Sequence, residues 1–198
     1  MNAKIKRSIH FSLTIAVITF VLAAIFSIVS SSLLEQVTWV IGFIIVIIIV
    51  FVGIIFDMLG IASTAAKEAP FHAMASEKVI GAKEAVWIVK NADRFASFCN
   101  DVIGDISGIV SGSALTVVIF QIARMFQSDQ SSTQIILTVI LTSFIAALTV
   151  GGKALGKYFA IHSSTNIIIF TGKLIAFVQN KFKIRILPRH KIDGNKGK

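Results

Sequence analysis

Cysteine and charge are both scarce in this chain. Its 198 residues include one cysteine, Cys99, so an intrachain disulfide is excluded. Only 15% of the residues are charged, whereas 55% are hydrophobic, and the mean hydropathy is +0.84. A soluble domain of this size could not hide so much apolar surface, because a soluble surface must interact with water. The composition therefore predicts an integral membrane protein.

Sequence motifs of catalysis are missing as well. The four histidines lack the spacing of metal ligands, and the chain has no Ser/His/Asp grouping, Walker loop or CxxC pair. We therefore expect that the protein is not an enzyme. Paired inverted repeats are also missing, which disfavours proton-coupled transport of an organic solute.

Acidic residues are outnumbered by basic ones, 10 to 19, which gives a formal net charge of +9. The basic residues cluster near the N-terminus, between Lys67 and Arg94, and from Lys153 to the end. Apolar blocks separate these clusters, as expected when Lys and Arg stay on the cytoplasmic side of a membrane. This pattern disfavours nucleic acid as a partner. It predicts that the basic cytoplasmic tail, residues 182–198, binds anionic lipid headgroups.

Four apolar runs are long enough to cross a hydrocarbon core about 30 Å thick, which takes about 20 helical residues. They predict an all-α protein of the plasma (cytoplasmic) membrane, with both termini in the cytoplasm. An outer loop, Gln127–Gln130, would join the last two spans. The predicted spans are His10–Leu33, Gln36–Phe56, Ile106–Ala123 and Ser131–Gly152. The third has these bounds if Asp101 and Asp105 lie at its entrance, and it is longer if they lie inside the membrane.

Two further segments are predicted to be helical without crossing the membrane. Ser76–Lys90 has a partly apolar face and a serine that could cap it, which is typical of a surface helix. Asn91 or Asp93 would cap the next helix. Tyr158–Asn180 mixes apolar residues with lysine, histidine and asparagine, which favours a helix lying in the membrane interface.

Acidic side chains near the third predicted span are the strongest candidates for a functional site. An ionised carboxylate at a bilayer centre costs about 2.5–3.5 kcal/mol on the insertion scale, so it usually faces a cavity or a partner. Helical spacing places two aspartates on one face with a ladder of glycines, and serines flank that face. These residues are Asp101, Asp105, Gly104, Gly108, Gly112, Ser107 and Ser111.

Three interpretations of this face stay open at this stage. The aspartates could hold a cation or a proton, or they could lie at headgroup level, where carboxylates favour a helix N-terminus. The glycines alone indicate close helix packing, which would turn the aspartates toward protein. Asp57 and Lys153 are equally open, because each could be an interfacial residue or a cavity residue.

Three stretches of the chain resemble, in order, the membrane domain of the cyclin M/CorC (CorB) magnesium transporter family. They are FDMLGIASTA from Phe56, NADRFASFCNDVIGDI from Asn91 and GKALGKYFA from Gly152. The resemblance implies that residues 35–181 form a compact three-helix module that dimerises and binds dehydrated Mg2+ in a cavity open to the cytoplasm. Residues 1–34 would add a basic segment and an extra transmembrane helix.

The chain departs from the family at several positions. Where the first family motif has a glutamate and a serine, this chain has Gly60 and Asp57. Where the last motif has a glutamate and a proline, it has Lys153 and Gly156. The Gly-Asn-Asn motif is replaced by residues from Asn100 to Asp105. The family usually carries CBS and CorC-type regulatory domains after its membrane part, whereas only a short basic tail is expected here.

Two hypotheses for function follow. In the first, the chain transports or exports a divalent cation, Mg2+ foremost, and Lys153 tunes or competes with the ion. In the second, it is a non-transporting scaffold or regulatory subunit in which the Lys153 ammonium, paired with Asp101 or Asp105, occupies a degenerate cation site. Under the first hypothesis the ligating or gating residues are Asp57, Asn100, Asp101, Asp105, Ser107 and Ser111, since Mg2+ prefers hard oxygen ligands.

Overall fold

The computed structural model describes residues 3–125 and 130–182, and this part of the chain is entirely helical, without strands. A π-helix, Phe98–Gly104, joins α5 to α6 in one continuous helical run. The α-helices are α1 Ala3–Leu34, α2 Trp39–Ala65, α3 Glu68–Ser76, α4 Ala82–Lys90, α5 Ala92–Ser97, α6 Asp105–Met125, α7 Gln130–His162 and α8 Ser164–Phe182. The predicted outer loop Gln127–Gln130 and the basic tail fall mostly outside the described residues.

Four helices are long and apolar enough to cross a membrane, which confirms an all-α membrane protein with four predicted spans. The first predicted span agrees with Ser12–Leu34 within two residues, whereas the other three helices continue past their predicted ends, because a charged residue ends an apolar run but does not end a helix. The helical run of the third span begins well before Ile106 and includes both aspartates. The observed spans are Ser12–Leu34, Trp39–Ala65, Ala92–Met125 and Gln134–His162.

The spans differ in how much of each is buried. α2 packs against both α6 and α7, and its buried Val46 and Val50 share a core with Leu115 and Val118 of α6. α1 reaches this core only with its last residue, the buried Leu34, and otherwise contacts mainly α6. No residue in its most apolar stretch is buried. The extra helix predicted at the N-terminus is therefore a peripheral span, which packs against the outside of the bundle formed by α2, α6 and α7.

A second helical layer covers one end of the spans. Buried Phe71 of α3, Ile88 of α4 and Ile168 of α8 pack together with Ala62 at the end of α2. Gly81, at φ +84°, lies directly against Gly172, and a Cβ on either glycine would collide with the other segment's backbone. This contact fixes α8 on the start of α4.

The helices of this layer differ from those predicted. Ser76–Lys90 is not one helix: α3 ends at Ser76, and Lys78 and Gly81 both have positive φ, which a right-handed helix cannot continue. Ser76 is no N-cap, since its hydroxyl donates to the Ala73 carbonyl. Asn91 precedes α5 as predicted, but its amide donates back to Trp87 instead of capping.

Tyr158–Asn180 is likewise not a single interfacial helix. α7 continues through Tyr158 to His162, and α8 begins at Ser164 after a break at Ser163. α8 itself is not among the helices apolar enough to cross. The prediction of an interfacial helix therefore applies to the second part, α8, and stays a prediction.

Candidate functional site

Charged side chains of three spans lie at one level of the bundle. With a rise of 1.5 Å per residue, Asp57 lies about 27 Å along α2 from the start of that helix. By the same count, Asp105 lies about 30 Å along α6 from its end, and Lys153 about 28 Å along α7 from Gln134. These lengths are close to the hydrocarbon thickness of about 30 Å, as expected if the three side chains lie at one boundary of the apolar layer. The helix lengths therefore favour headgroup level over the bilayer centre.

Asp57 and Lys153 form an ion pair at this level. The Lys153 Nζ lies 3.6 Å from the Asp57 Oδ1, and the two side chains are 32% and 17% exposed respectively. Gly104 lies beside the pair: a Cβ added there would be 3.9 Å from the Asp57 Oδ1 and 4.0 Å from the Lys153 Nζ. The pair thus joins α2 to α7, and the end of the π-helix closes over it. Lys153 was expected to pair with Asp101 or Asp105, and this was wrong.

The π-helix sets the position of Asn100. A π-helix bonds i to i+5 and is rare, often occurring at functional sites. The Asn100 amide lies directly over Gly60, where any Cβ would collide with it. The Asn100 Oδ1 is buried and has no hydrogen-bond partner among the described residues. One strong acceptor is therefore held in the protein without a donor.

Asp101 and Asp105 are both exposed, so the expectation that they face protein was wrong. The buried face of α6 lies elsewhere. Ile106 and Val110 pack toward α1, and a Cβ on Gly53 of α2 would be 2.9 Å from the Ser107 Cβ. Within the described ranges neither aspartate forms an ion pair. The wider π turn also changes the uniform 100° spacing from which their orientation was predicted.

A groove of about 360 Å³ runs between α2, α6 and α7 next to the ion pair. Its polar lining comes from Asp105, Ser111, Thr149 and Lys153, and the rest is aliphatic or glycine. Gly108 opens the groove, because no described atom lies within 4 Å of a Cβ placed on it. The groove therefore brings one predicted aspartate and the lysine to a shared wall without pairing them.

The serines and glycines of the third span were predicted to lie on or beside a packed helix face, and the structure buries some of them but not others. Ser107 and Ser111 are buried, and their hydroxyls donate to the carbonyls of Ile103 and Gly108 in their own helix. Gly104 is packed, whereas Gly108 and Gly112 are open, so one of the three ladder glycines serves packing within the described chain. Close packing instead uses glycines of other helices, which are Gly42, Gly53 and Gly60 of α2 and Gly152 and Gly156 of α7.

The α2 glycines were missed although the sequence carries a signal for them. Their separations correspond to about three and about two helical turns, which places them on one face of α2. That face makes the contact with the third span: Gly42 with Val118, Gly53 with Ser107 and Gly60 with Asn100. The helical spacing of the glycines in the second span would therefore have predicted this contact between α2 and the third span.

The donor set for a metal ion does not assemble. Among residues 3–125 and 130–182, no group of three or more His, Cys, Asp or Glu side chains is placed to hold a metal. Asp57 is paired with a lysine, Asp101 faces outward, and Asp105 lies on the groove wall. The residues predicted as ligands thus lie near one level but do not converge.

Comparisons with protein-family models, curated proteins and solved structures found no match to this chain. The resemblance to the cyclin M/CorC membrane domain therefore stays a prediction drawn from the three stretches. In the structure these stretches meet: Asp57 and Gly60, Asn100 and Gly104, and Lys153 surround one polar position.

Proposed function

We propose that this chain is a non-transporting membrane scaffold or regulatory subunit, in which the Lys153 ammonium occupies the position that a transported cation would take. The observation that carries the proposal is the 3.6 Å contact between the Lys153 Nζ and the Asp57 Oδ1 beside Gly104. A lysine on α7 supplies the positive charge from within the chain, and no ion is needed to neutralise Asp57.

The charge of the site disfavours a divalent ion. A carboxylate and an ammonium sum to zero, so an entering Mg2+ meets no net attraction and must also displace the ammonium or lie beside it. Mg2+ loses its waters reluctantly and needs several oxygen ligands in octahedral geometry. Asp57 offers the one carboxylate in contact with the ammonium, since Asp101 is exposed and Asp105, also exposed, lies on the wall of the groove without an ion pair.

A second position argues the same way. Gly60, which aligns with a family glutamate, has no side chain, and the Asn100 amide fills the space above it. A neutral amide thus stands where the resemblance implies a carboxylate. Gly60 and Lys153 thus replace both glutamates that the family motifs carry.

A double-mutant cycle in purified, detergent-solubilised protein tests the proposal. Asp57→Asn and Lys153→Gln should each lower the free energy of unfolding by about 1–2 kcal/mol, because each leaves a half-buried charge without its partner. The double variant should recover part of that loss. Lys157→Gln, one turn further along α7 and exposed, is the matched control and should change stability little. Additive losses in the double variant would contradict the pairing.

A second candidate function is divalent-cation transport with Mg2+ as the cargo, and a specific observation favours it. The buried Asn100 Oδ1 has no described donor, and hard oxygens are the ligands that Mg2+ prefers. The groove next to the Asp57–Lys153 pair, which Asn100 does not line, offers oxygens of Asp105 and Ser111. In this candidate Lys153 competes with the ion for Asp57.

Flux measurements in proteoliposomes separate the two candidates. The scaffold predicts no Mg2+ flux above that of empty liposomes, with Ca2+ and Na+ as further controls. Transport predicts Mg2+ flux that Asp57→Asn abolishes without loss of folding. If such flux is found, the scaffold proposal is wrong.

A scaffold needs a partner, and we propose that it is a second copy of this chain. The exposed face of α6 carries Gly108 and Gly112, above which the described chain leaves open space. Small residues let another helix approach closely in a membrane. Gly112→Leu should therefore shift the detergent-solubilised protein toward the monomer in sedimentation, whereas Val139→Leu on exposed α7 should not.

A further inference from the structure

One face of α8 is exposed and apolar although α8 belongs to the layer outside the spans. Phe170, Leu174 and Phe177 recur at helical spacing and are 66%, 56% and 60% exposed. Large apolar side chains in such a row would face water if nothing covered them, which is unfavourable. We propose that this face lies on the membrane surface and that its flanking lysines bind anionic lipid headgroups.

The orientation of α8 is fixed by its opposite face. Ile168, Thr171 and Gly172 are buried against the neighbouring helices. The backbone contact between Gly172 and Gly81 allows no larger residue on either side. α8 therefore cannot rotate to hide its apolar row within the described chain.

Charge identifies the occupant of this face. Exposed Lys173 and Lys181 border the apolar row, and the Lys181 Nζ lies 5.7 Å from the centre of the Phe177 ring. α8 has no acidic residue, and its lysines form no ion pair within the described residues. An apolar row bordered by lysines is typical of a helix lying in the interface of an anionic bilayer. A second copy is disfavoured, because pairing two α8 faces would bring like charges together.

The level of α8 agrees with this placement. α8 packs on the last turns of α2, where Ile61 and Ala62 join its core. That helix ends at Ala65, about 12 Å beyond Asp57 at 1.5 Å per residue. Since Asp57 lies at the boundary of the apolar layer, α8 lies at the depth of the headgroups and the adjoining water.

Spin labelling of the full chain in liposomes tests the proposal. A label at Leu174→Cys, in a Cys99→Ala background, is compared with labels at Lys83→Cys on exposed α4 and Val139→Cys on exposed α7. In liposomes with about 30% phosphatidylglycerol, the Leu174 label should collide with oxygen more, and with a water-soluble nickel chelate less, than the Lys83 label. Its depth should fall between the two references. A label as accessible to nickel as that at Lys83 would overturn the proposal, and so would one shielded from both reagents with spin–spin broadening, which indicates protein contact.

The lysines are tested separately in a chain that keeps Cys99. Phosphatidylglycerol should raise the Tm of the wild-type protein in nanodiscs relative to phosphatidylcholine alone, because it binds the folded state. Lys173→Gln with Lys181→Gln should lose most of that rise. The matched pair Lys83→Gln with Lys90→Gln, which removes the same charge from α4, should keep it. An equal rise in both double variants would overturn the role of the α8 lysines. This inference does not depend on either candidate function.

Discussion

At the Gly42 end of the contact between α2 and the third span, glycine makes room for an aliphatic side chain, whereas at the Gly60 end it makes room for an amide. A Cβ on Gly42 would be 2.9 Å from the Val118 Cγ2, the tip of a side chain that can shift. A Cβ on Gly60 would collide with the Asn100 amide, whose Oδ1 is already buried without a described donor. The same packing device therefore supports a plain apolar core at one end and a polar site at the other.

This difference gives the chain two kinds of sensitivity. Changes at the apolar end alter packing alone, and the neighbours can relax. Changes at the polar end alter packing, an unsatisfied acceptor and a nearby ion pair together. Four substitutions distinguish the apolar end from the polar end.

The largest effect is expected for Gly60→Ala. The added methyl must displace Asn100 from its place in the π-helix, so we expect a loss of about 3 kcal/mol of unfolding free energy, as in severe overpacking. The measurement is denaturant unfolding in mixed micelles. Asn100→Ala in the same chain should restore part of the loss, because it removes the colliding group. If the double variant is no more stable than Gly60→Ala, the contact does not govern this site.

Asn100→Leu sharpens the polar side of the comparison. It replaces a buried acceptor without a described donor by an apolar group of similar volume, which can be neutral or stabilising when the polar atom has no role. A scaffold should therefore keep its stability within about 1 kcal/mol. Loss of Mg2+ flux together with retained folding would instead assign Asn100 to a transport site.

A smaller effect is expected for Gly42→Ala. The methyl meets only the tip of Val118, and overpacking that neighbours can absorb costs about 1 kcal/mol. Denaturant unfolding under the conditions used for Gly60→Ala allows the losses of unfolding free energy at the two ends to be compared directly. Equal losses at both ends would contradict the distinction between them.

The smallest effect is expected for Gly112→Ala. No described atom would contact the new methyl, and alanine favours a helix over glycine by about 1 kcal/mol. The solubilised monomer should therefore be unchanged or slightly more stable. A marked loss of monomer stability would mean that a contact within the chain was missed.

Apolar spans were predictable from the sequence because burial in a bilayer requires about 20 consecutive apolar residues. The run from Trp39 to Phe56 is almost purely aliphatic and aromatic, so the second span could hardly be missed. Its end could not be placed in the same way. α2 continues to Ala65 through Asp57, because a helix outside the membrane needs no apolar residues.

The site was less predictable for two physical reasons. First, the spacing correctly groups Asp101, Asp105, Gly108 and Gly112 on one face, which the structure exposes, but spacing alone does not show whether a face meets protein or lies outside. Second, the partner of Lys153 depends on how α2 and α7 cross. The scaffold hypothesis paired it with Asp101 or Asp105, whereas helix packing selects Asp57. Sequence spacing describes one helix at a time, and this site is made by three.

The depth of Asp105 in the membrane was also hard to predict. The sequence does not decide between the bilayer centre and the headgroup level, because it does not show where the helix that carries Asp105 begins. The part from Asp105 to Met125 is about 30 Å long, one hydrocarbon thickness, although the helical run itself begins at Ala92. This length favours the boundary position for Asp105.

The most direct test of the central claim, that Lys153 fills the cation position, is the Tm of the purified protein with and without millimolar Mg2+, with Ca2+ and Na+ as controls. The account predicts no Mg2+-selective shift in the wild-type protein, because Asp57 is already neutralised by Lys153. A Mg2+-selective rise of several degrees, lost in Asp57→Asn, would contradict it, since only a native cation site stabilises the folded state in this way.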